Sequence, residues 1–217
     1  MKLVRKLRER RWRDKLELFA VEGEDLVEAA LAAGLEPADV LTAGEDVEAE
    51  LLAEVSSLAH PPRVVAVFRR GDLAHGTRPV TLALWRVGDP GNLGTLLRAA
   101  DAFGAGVALS EGCADPTGPK AVRASMGSIF RVPLSGFADA PGKWVALVPS
   151  GGVALPELQF GGEVVLVLGA EREGLPPEVL ERCDERASIP QPGDAESLNV
   201  ALAGAIALYE LARGDRA

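Results

Sequence analysis

Five polar side chains stand out by type and by position: Asn92, Arg98, Glu171, Ser197 and Asn199. Each lies beside a glycine- or proline-rich loop at the end of an apolar run. The loops read Asp89-Pro-Gly-Asn-Leu-Gly-Thr-Leu-Leu-Arg, Leu168-Gly-Ala-Glu-Arg-Glu-Gly-Leu-Pro and Ile189-Pro-Gln-Pro-Gly-Asp-Ala-Glu-Ser-Leu-Asn-Val. Glycines there permit tight turns and close approach of a ligand to the backbone. Each polar residue also has a plain structural role open to it. Asn92 and Ser197 are candidate helix N-caps, Arg98 can pair with Asp101 or Asp89, and Glu171 can be an exposed loop charge. Gathered at three strand ends, they point to a site, because ligands of parallel α/β sheets bind at the carboxyl ends of the strands.

The elements that must position them alternate. Residues 2–15 are rich in helix formers, Phe19-Ala-Val-Glu is strand-like, and Glu24 to Ala33 reads as a helix stopped by Gly34. Asp39 to Thr42 reads as a strand, Val47 to Leu58 as a helix and Arg63 to Phe68 as a buried strand. Gly71 to Pro79 reads as a linker. Strand-like runs resume at Thr81–Val87, Gly106–Ser110, Lys143–Val148 and Glu163–Leu168, with helices over Gly94–Phe103 and Ser197–Ala212. Continuous apolar strands suit a parallel sheet covered on both faces. The expected organisation is one α/β unit over residues 1–76 and a second over 77–217.

The chain has 217 residues, a net charge of −9 and only two cysteines, Cys113 and Cys183, too few for a disulfide framework or a cysteine zinc site. His60 and His75 read as loop residues, so neither a catalytic histidine nor a bound metal is expected. No apolar run reaches the roughly 20 residues needed to span a bilayer, and the basic start is not followed by a signal-like apolar segment. A cytoplasmic protein with no membrane partner is expected. The acidic total hides a local reversal. Residues 1–15 hold eight basic residues against Glu9 and Asp14, a balance of +6, which leaves −15 on the remainder. Such a segment is either a basic arm for a polyanion or a solvated helix face.

Common nucleotide motifs are missing. No G-x-G-x-x-G follows a strand, no G-x-x-x-x-G-K-[ST] occurs, and no G-x-S-x-G elbow occurs.

The three loops, in this order, resemble the three signature motifs of the SpoU (TrmH-like) family of RNA ribose methyltransferases, in the SPOUT superfamily. Asn92 and Arg98 match the first motif, Gly169, Glu171, Gly174 and Leu175 the second, and Ile189, Pro190, Ser197, Leu198, Asn199 and Val200 the third. The block Val122-Arg-Ala-Ser-Met-Gly-Ser-Ile-Phe resembles the family's middle segment. The stretch Arg13-Asp-Lys-Leu-Glu-Leu-Phe-Ala-Val-Glu-Gly-Glu is similar to the opening of a small ribosomal-protein-like α/β substrate-binding domain that many members carry.

The resemblance implies a parallel sheet whose C-terminal segment forms a deep trefoil knot. It implies S-adenosylmethionine held by Gly169, Ile189 and Leu198, with Gly174 in the same glycine motif, and a site at a homodimer interface. It further implies a reaction at a ribose 2′-hydroxyl, with ribosomal RNA favoured over transfer RNA. Arg98 occupies the position assigned as general base. Free arginine keeps its proton across the accessible pH range, so a wider role is expected: clamping an RNA phosphate and stabilising the developing alkoxide. Asn92 and Asn199 are expected to position the ribose or the arginine, Glu171 to orient Arg98 or a backbone turn, and Ser197 to support the knot loop. Arg5, Arg8, Arg11, Arg13 and Lys15 on one basic helix are expected to contact RNA phosphates. The rival readings are a catalytically silent RNA-binding protein of the same fold and a nucleotide-dependent oxidoreductase, which lacks its phosphate turn.

Overall fold

Two sheets of opposite kind divide the chain in the computed structural model, which describes residues 1–56, 61–159, 161–193 and 197–214. His60 and the end of the expected helix over 47–58 lie outside the described residues. The first unit runs α1 (Lys2–Leu7), α2 (Arg10–Leu16), β1 (Leu18–Glu22), α3 (Glu24–Ala32), β2 (Asp39–Thr42), α4 (Ala49–Val55) and β3 (Val64–Arg69). Its three strands pair antiparallel in the order β1-β3-β2. The second unit runs β4 (Val80–Leu84), α5 (Pro90–Ala102), β5 (Gly106–Leu109), α6 (Pro119–Ser125), β6 (Leu134–Gly136) and β7 (Lys143–Leu147). It continues with β8 (Val153–Ala154), β9 (Val164–Leu168), α7 (Pro177–Leu180), β10 (Glu185–Ser188) and α8 (Val200–Gly214). All seven strands are parallel, in the order β6-β5-β4-β9-β7-β10-β8.

The apolar runs become strands for a simple reason. β4 and β9 are buried on both faces, so every side chain of Val164–Leu168 is apolar. α8 then packs on α5 and β9. Gly204 permits this, since a Cβ there would come within 2.4 Å of Leu96 Cδ2 and 3.3 Å of Leu168 Cδ2. That close seat sets where the start of α8 meets the start of α5.

The two units share one core. Phe19 and Phe68 of the antiparallel sheet, 6.0 Å apart between ring centroids, each meet Phe130 of the second unit at 6.4 Å. The expected linker is not slack, because Ala74 O and Gly76 N bond the backbone of Leu134 at 2.9 and 3.0 Å. Its His75 therefore sits in an isolated bridge to Leu134 on the edge strand β6.

The basic segment departs from the expected single helix. It breaks where Glu9 is extended (φ −96°, ψ 132°). In one continuous helix the buried stripe of Val4 and Leu7 would carry on to Arg11 and Asp14. The break re-aims the second helix so that Arg13 turns inward instead. Its Nε and Nη2 bond Asp115 Oδ2 at 2.8 and 2.7 Å, and Nη1 donates to Leu7 O at 2.7 Å. Both side chains of the pair are only 5% exposed. Arg13 is thus a bolt between the units and is withdrawn from the RNA contacts expected of it. Thr117 completes the carboxylate, donating N–H and O–H to Oδ1.

Burial alone would raise the Asp115 carboxyl, but the Thr117 bonds and the Arg13 guanidinium outweigh it and hold the group below its ordinary value. Its stabilising contribution is therefore complete above the unfolded value of about 3.9 and is lost as pH falls through the lower folded value. Asp115→Ala strands a buried guanidinium, and at pH 7 it should cost roughly 3–5 kcal/mol in urea unfolding. The deficit relative to wild type should shrink as the pH falls below about 3.9.

Candidate active site

The loop after β4 turns directly into α5, and Asp89 caps that helix. Its Oδ1 accepts from the N–H groups of Gly91 (2.7 Å) and Asn92 (2.9 Å), and Lys120 Nζ donates to Oδ2 at 3.0 Å. The Asn92 amide bond, the Lys120 contact and the Gly91 bond outweigh slight burial and hold the Asp89 carboxyl below its ordinary value. Asn92 is therefore not the N-cap, and α5 begins at Pro90 rather than Gly94. A proline at the first helical position and an aspartate before it account for the earlier start.

Freed from capping, the Asn92 side chain links the other two loops. Its Nδ2 donates to Glu171 Oε1 at 3.1 Å, and its Oδ1 accepts from Asn199 Nδ2 at 3.1 Å. Asn199 Oδ1 in turn accepts from the N–H groups of Ala201 (2.9 Å) and Leu202 (3.3 Å). Asn199, and not Ser197, thus caps α8. Ser197 is exposed at the rim.

Glu171 also accepts from the backbone N–H groups of Gly88 (3.3 Å) and Asp89 (3.1 Å). Burial pushes its carboxyl up, but the bonds from Asn92 and from the backbone of Glu171, Asp89 and Gly88 together lower it. It is an ionised acceptor that clamps the 88–92 turn. Of the two roles open to it, orienting that turn is the one the geometry shows; it makes no contact with Arg98.

Behind this network lies a cleft of about 600 Å³ at the carboxyl ends of β7, β9 and β10. Gly169, Glu171, Gly174, Ile189, Ser197, Leu198 and Asn199 all line it. The wall over 169–175 is a turn closed on itself. Ala170 and Gly174 exchange hydrogen bonds at 3.1 and 3.0 Å, Gly174 takes φ +66°, and a Cβ on Gly169 would fall 2.3 Å from Gly174 C. Only glycine fits both ends of that turn. The rest is largely apolar (Leu147, Leu168, Leu180, Leu198), with Ser197, Asn199 and Gln191 as its polar members; Gln191 Oε1 is shielded and accepts no hydrogen bond among the described residues. A slot lined largely by apolar side chains and closed on one side by a glycine turn suits a flat heterocycle such as adenine.

Sequence reasoning missed Leu147, Val148 and Pro149 at the end of β7, and Gln191. The Pro149-Ser-Gly-Gly turn after a strand was the available signal. The first motif, conversely, does not line the cleft. Asn92 reaches it through Glu171 and Asn199, while Arg98 is exposed on α5 with no ion pair or hydrogen bond among the described residues. Both of its expected pairing partners are engaged elsewhere, Asp101 with Arg131 and Ser128, and Asp89 with Lys120.

Of the basic residues expected on RNA, Arg8 and Lys15 are exposed without an ion pair among the described residues. Arg5 pairs with Glu54 and Arg11 with Glu9, both at 2.7 Å on the surface. No group of three metal-ligating side chains occurs among the described residues.

A cleft at the carboxyl ends of parallel strands, lined by a glycine turn and apolar side chains, is where an α/β enzyme takes a small ligand. A family model described as the SpoU rRNA methylase family matches residues 79–209, and one described as an MRM3-like substrate-binding domain matches residues 1–68. The chain belongs to the SpoU family of S-adenosylmethionine-dependent RNA methyltransferases.

It is 34% identical to an uncharacterised tRNA/rRNA methyltransferase of Synechocystis over 98% of this chain and 90% of that protein. It is 32% identical to the 23S rRNA (guanosine(2553)-2′-O)-methyltransferase RlmP of Bacillus subtilis, over 95% of this chain and 93% of that protein. An S-adenosylmethionine-bound rRNA methyltransferase structure from Sinorhizobium meliloti superposes with a TM-score of 0.86 at 32% identity, covering 98% of this chain and 94% of that one.

Two outcomes follow. Gly169→Ala must open the 169–174 turn, and strain of about 1–3 kcal/mol should weaken S-adenosylmethionine binding roughly ten- to hundredfold in calorimetry. Asn92→Asp faces Glu171 with a second carboxylate. Its thermal midpoint should fall below wild type at pH 7, and the deficit should shrink as falling pH lets the two carboxyls take up a proton between them.

Proposed function

We propose that this chain transfers a methyl group from S-adenosylmethionine to a ribose 2′-hydroxyl of ribosomal RNA, working as a homodimer whose subunits complete each other's sites. The observation that carries the reading is the Glu171–Asn92–Asn199 network, which joins three motif loops at the rim of the cleft. The ribosomal target is supported by the RlmP relative, which aligns along nearly its whole length, the N-terminal unit included.

The bound cofactor supplies an electrophilic methyl group on a positively charged sulfur. The chain must seat it, align the attacking oxygen and help the hydroxyl proton leave. Gly169, Gly174, Ile189 and Leu198 form the seat. Arg98 holds the phosphate next to the target ribose and stabilises the alkoxide as it develops, using donors that its guanidinium keeps charged at every accessible pH.

Arg98 lies outside its own subunit's cleft, on the helix that packs beside α8. On α8, Leu202, Ile206 and Tyr209 are 56%, 40% and 56% exposed, and Phe103 at the end of α5 is 37% exposed with its ring 6.4 Å from Tyr209. These residues form an apolar strip beside the arginine, fitted to a second copy. In this arrangement Arg98 of one subunit reaches the cleft of the other.

The sheet order supports a trefoil knot. β9 inserts between β4 and β7, β10 lies beyond β7, and α8 returns across the sheet to α5. We read this order as that of a knotted chain, with Ser197 just ahead of α8, an exception to the general absence of knots.

The test is transfer of radiolabelled methyl to unmodified ribosomal and transfer RNA, with analysis of the modified nucleotide. Label is expected as a 2′-O-methylated nucleotide of ribosomal RNA, reduced on the order of a hundredfold in Arg98→Ala and poorly restored by Arg98→Lys. Label only in transfer RNA would replace the substrate; no label with intact cofactor binding would leave a silent RNA-binding protein. Co-expressed Arg98→Ala and Gly169→Ala subunits should regain activity together, since their mixed dimer holds one whole site. Failure to do so would place Arg98 and the cleft in the same subunit.

A further inference from the structure

Three tryptophans are present, and two are used for packing. Trp85 and Trp144 lie 5.2 and 5.3 Å from Phe137. Trp12 belongs to no apolar cluster and stays partly exposed on α2. Three cations surround its ring instead: Lys6 Nζ at 4.6 Å from the centroid, Lys15 Nζ at 5.5 Å and Arg11 Cζ at 5.7 Å. The break at Glu9 creates the cluster, because Lys6 comes from α1 while Arg11 and Lys15 come from α2.

This gathering serves the isolated fold poorly. Like charges crowd one ring whose attraction for each exposed cation is weak. Of the segment's own acids, Glu9 pairs with Arg11 of the cluster, and Asp14 pairs with Arg10 and Arg70 outside it. Lys6 and Lys15 have no ion-pair partner among the described residues, although the chain outside residues 1–15 carries a surplus of negative charge.

We propose that Trp12, Lys6, Lys15 and Arg11 form a docking site for an unpaired nucleotide of RNA. The indole stacks on the base, and the ammonium groups move from the ring onto the flanking phosphates. The inference rests on the reading of the chain as an RNA-modifying enzyme. A free base face is required because stacking on an aromatic ring needs a base out of its helix, where duplex RNA keeps its faces covered. An acidic peptide would use the cations and leave the indole idle. The site also has a fixed place. Arg13 bonds Asp115, and Arg10 Nη1 donates to Cys113 O at 3.4 Å, so α2 is tied to the loop after β5. A nucleotide held there is held at a set distance from the catalytic sheet.

The experiment measures binding of a short single-stranded oligouridylate and of a blunt RNA duplex, without cofactor, by indole fluorescence and by anisotropy across a salt series. Wild type should bind the single strand with quenching that disappears in Trp12→Phe. Trp12→Ala should weaken binding about tenfold, while Trp12→Phe, which keeps a stacking face, should stay near wild type. The double variant Lys6→Gln/Lys15→Gln should lower the slope of log affinity against log salt by about 1.4. Unchanged binding by Trp12→Ala, or a duplex bound as tightly as the single strand, would overturn the proposal. A far-UV melt of Trp12→Ala checks its fold, and Trp12→Phe keeps the quenching test decisive if that variant is unstable. These readouts do not depend on methyl transfer. Trp12-dependent binding by a wild type that transfers no methyl would sustain this site and sink the enzymatic reading; transfer with Trp12-independent binding would do the reverse.

Discussion

A carboxylate can only accept hydrogen bonds, and from that one fact the polarity of the whole site follows. Glu171 takes the amide N–H of Asn92, so Asn92 must present its oxygen to Asn199. Asn199 must then give its own N–H and turn its oxygen to the first free N–H groups of α8. No link in this chain can be reversed while the carboxylate stays ionised. The depressed Glu171 pKa therefore matters to orientation rather than to proton transfer. It keeps two amides in one rotamer and holds the start of α5, the turn after β9 and the start of α8 in one register. The cleft behind them keeps its shape because its entrance is tied in this way.

The same economy appears in the scaffold. Gly204 brings α8 down onto α5 and β9, which is what sets Asn199 within reach of Asn92. Gly169 and Gly174 let the turn after β9 fold back on itself beside the cleft. Such a turn tolerates little change in glycine content.

Most of the architecture was legible in the sequence because its strands are continuous apolar runs punctuated by glycine and proline. Phe19–Glu22, Asp39–Thr42 and Val164–Leu168 fall where their patterns placed them. The roles of polar residues were harder to read, for reasons of competition. Both Asp89 and Asn92 are good caps, and nothing local says that a distant Glu171 will claim Asn92. Ser197 and Asn199 compete in the same way at the start of α8. Arg13 lay in a run of basic residues that invited one explanation for all, and its partner Asp115 is about a hundred positions away. Burial of a charge depends on such a partner, which periodicity does not reveal. Leu147 to Pro149 were missed because strand order, and so which strand ends are neighbours, is set by topology.

The pairing of the 74–76 segment with β6 carries a consequence for the chain as a whole. β6 is an outer strand of the seven-stranded sheet, with one row of backbone donors and acceptors open to whatever comes alongside. The connecting segment occupies part of that row, at Leu134, and Phe130 nearby is covered by Phe19 and Phe68. The N-terminal unit therefore also acts as a guard against sticking between molecules. Excising it to obtain the methyltransferase half alone would lengthen the bare strand margin and uncover an apolar ring beside it, and the fragment would tend to assemble edge to edge through that newly bared stretch.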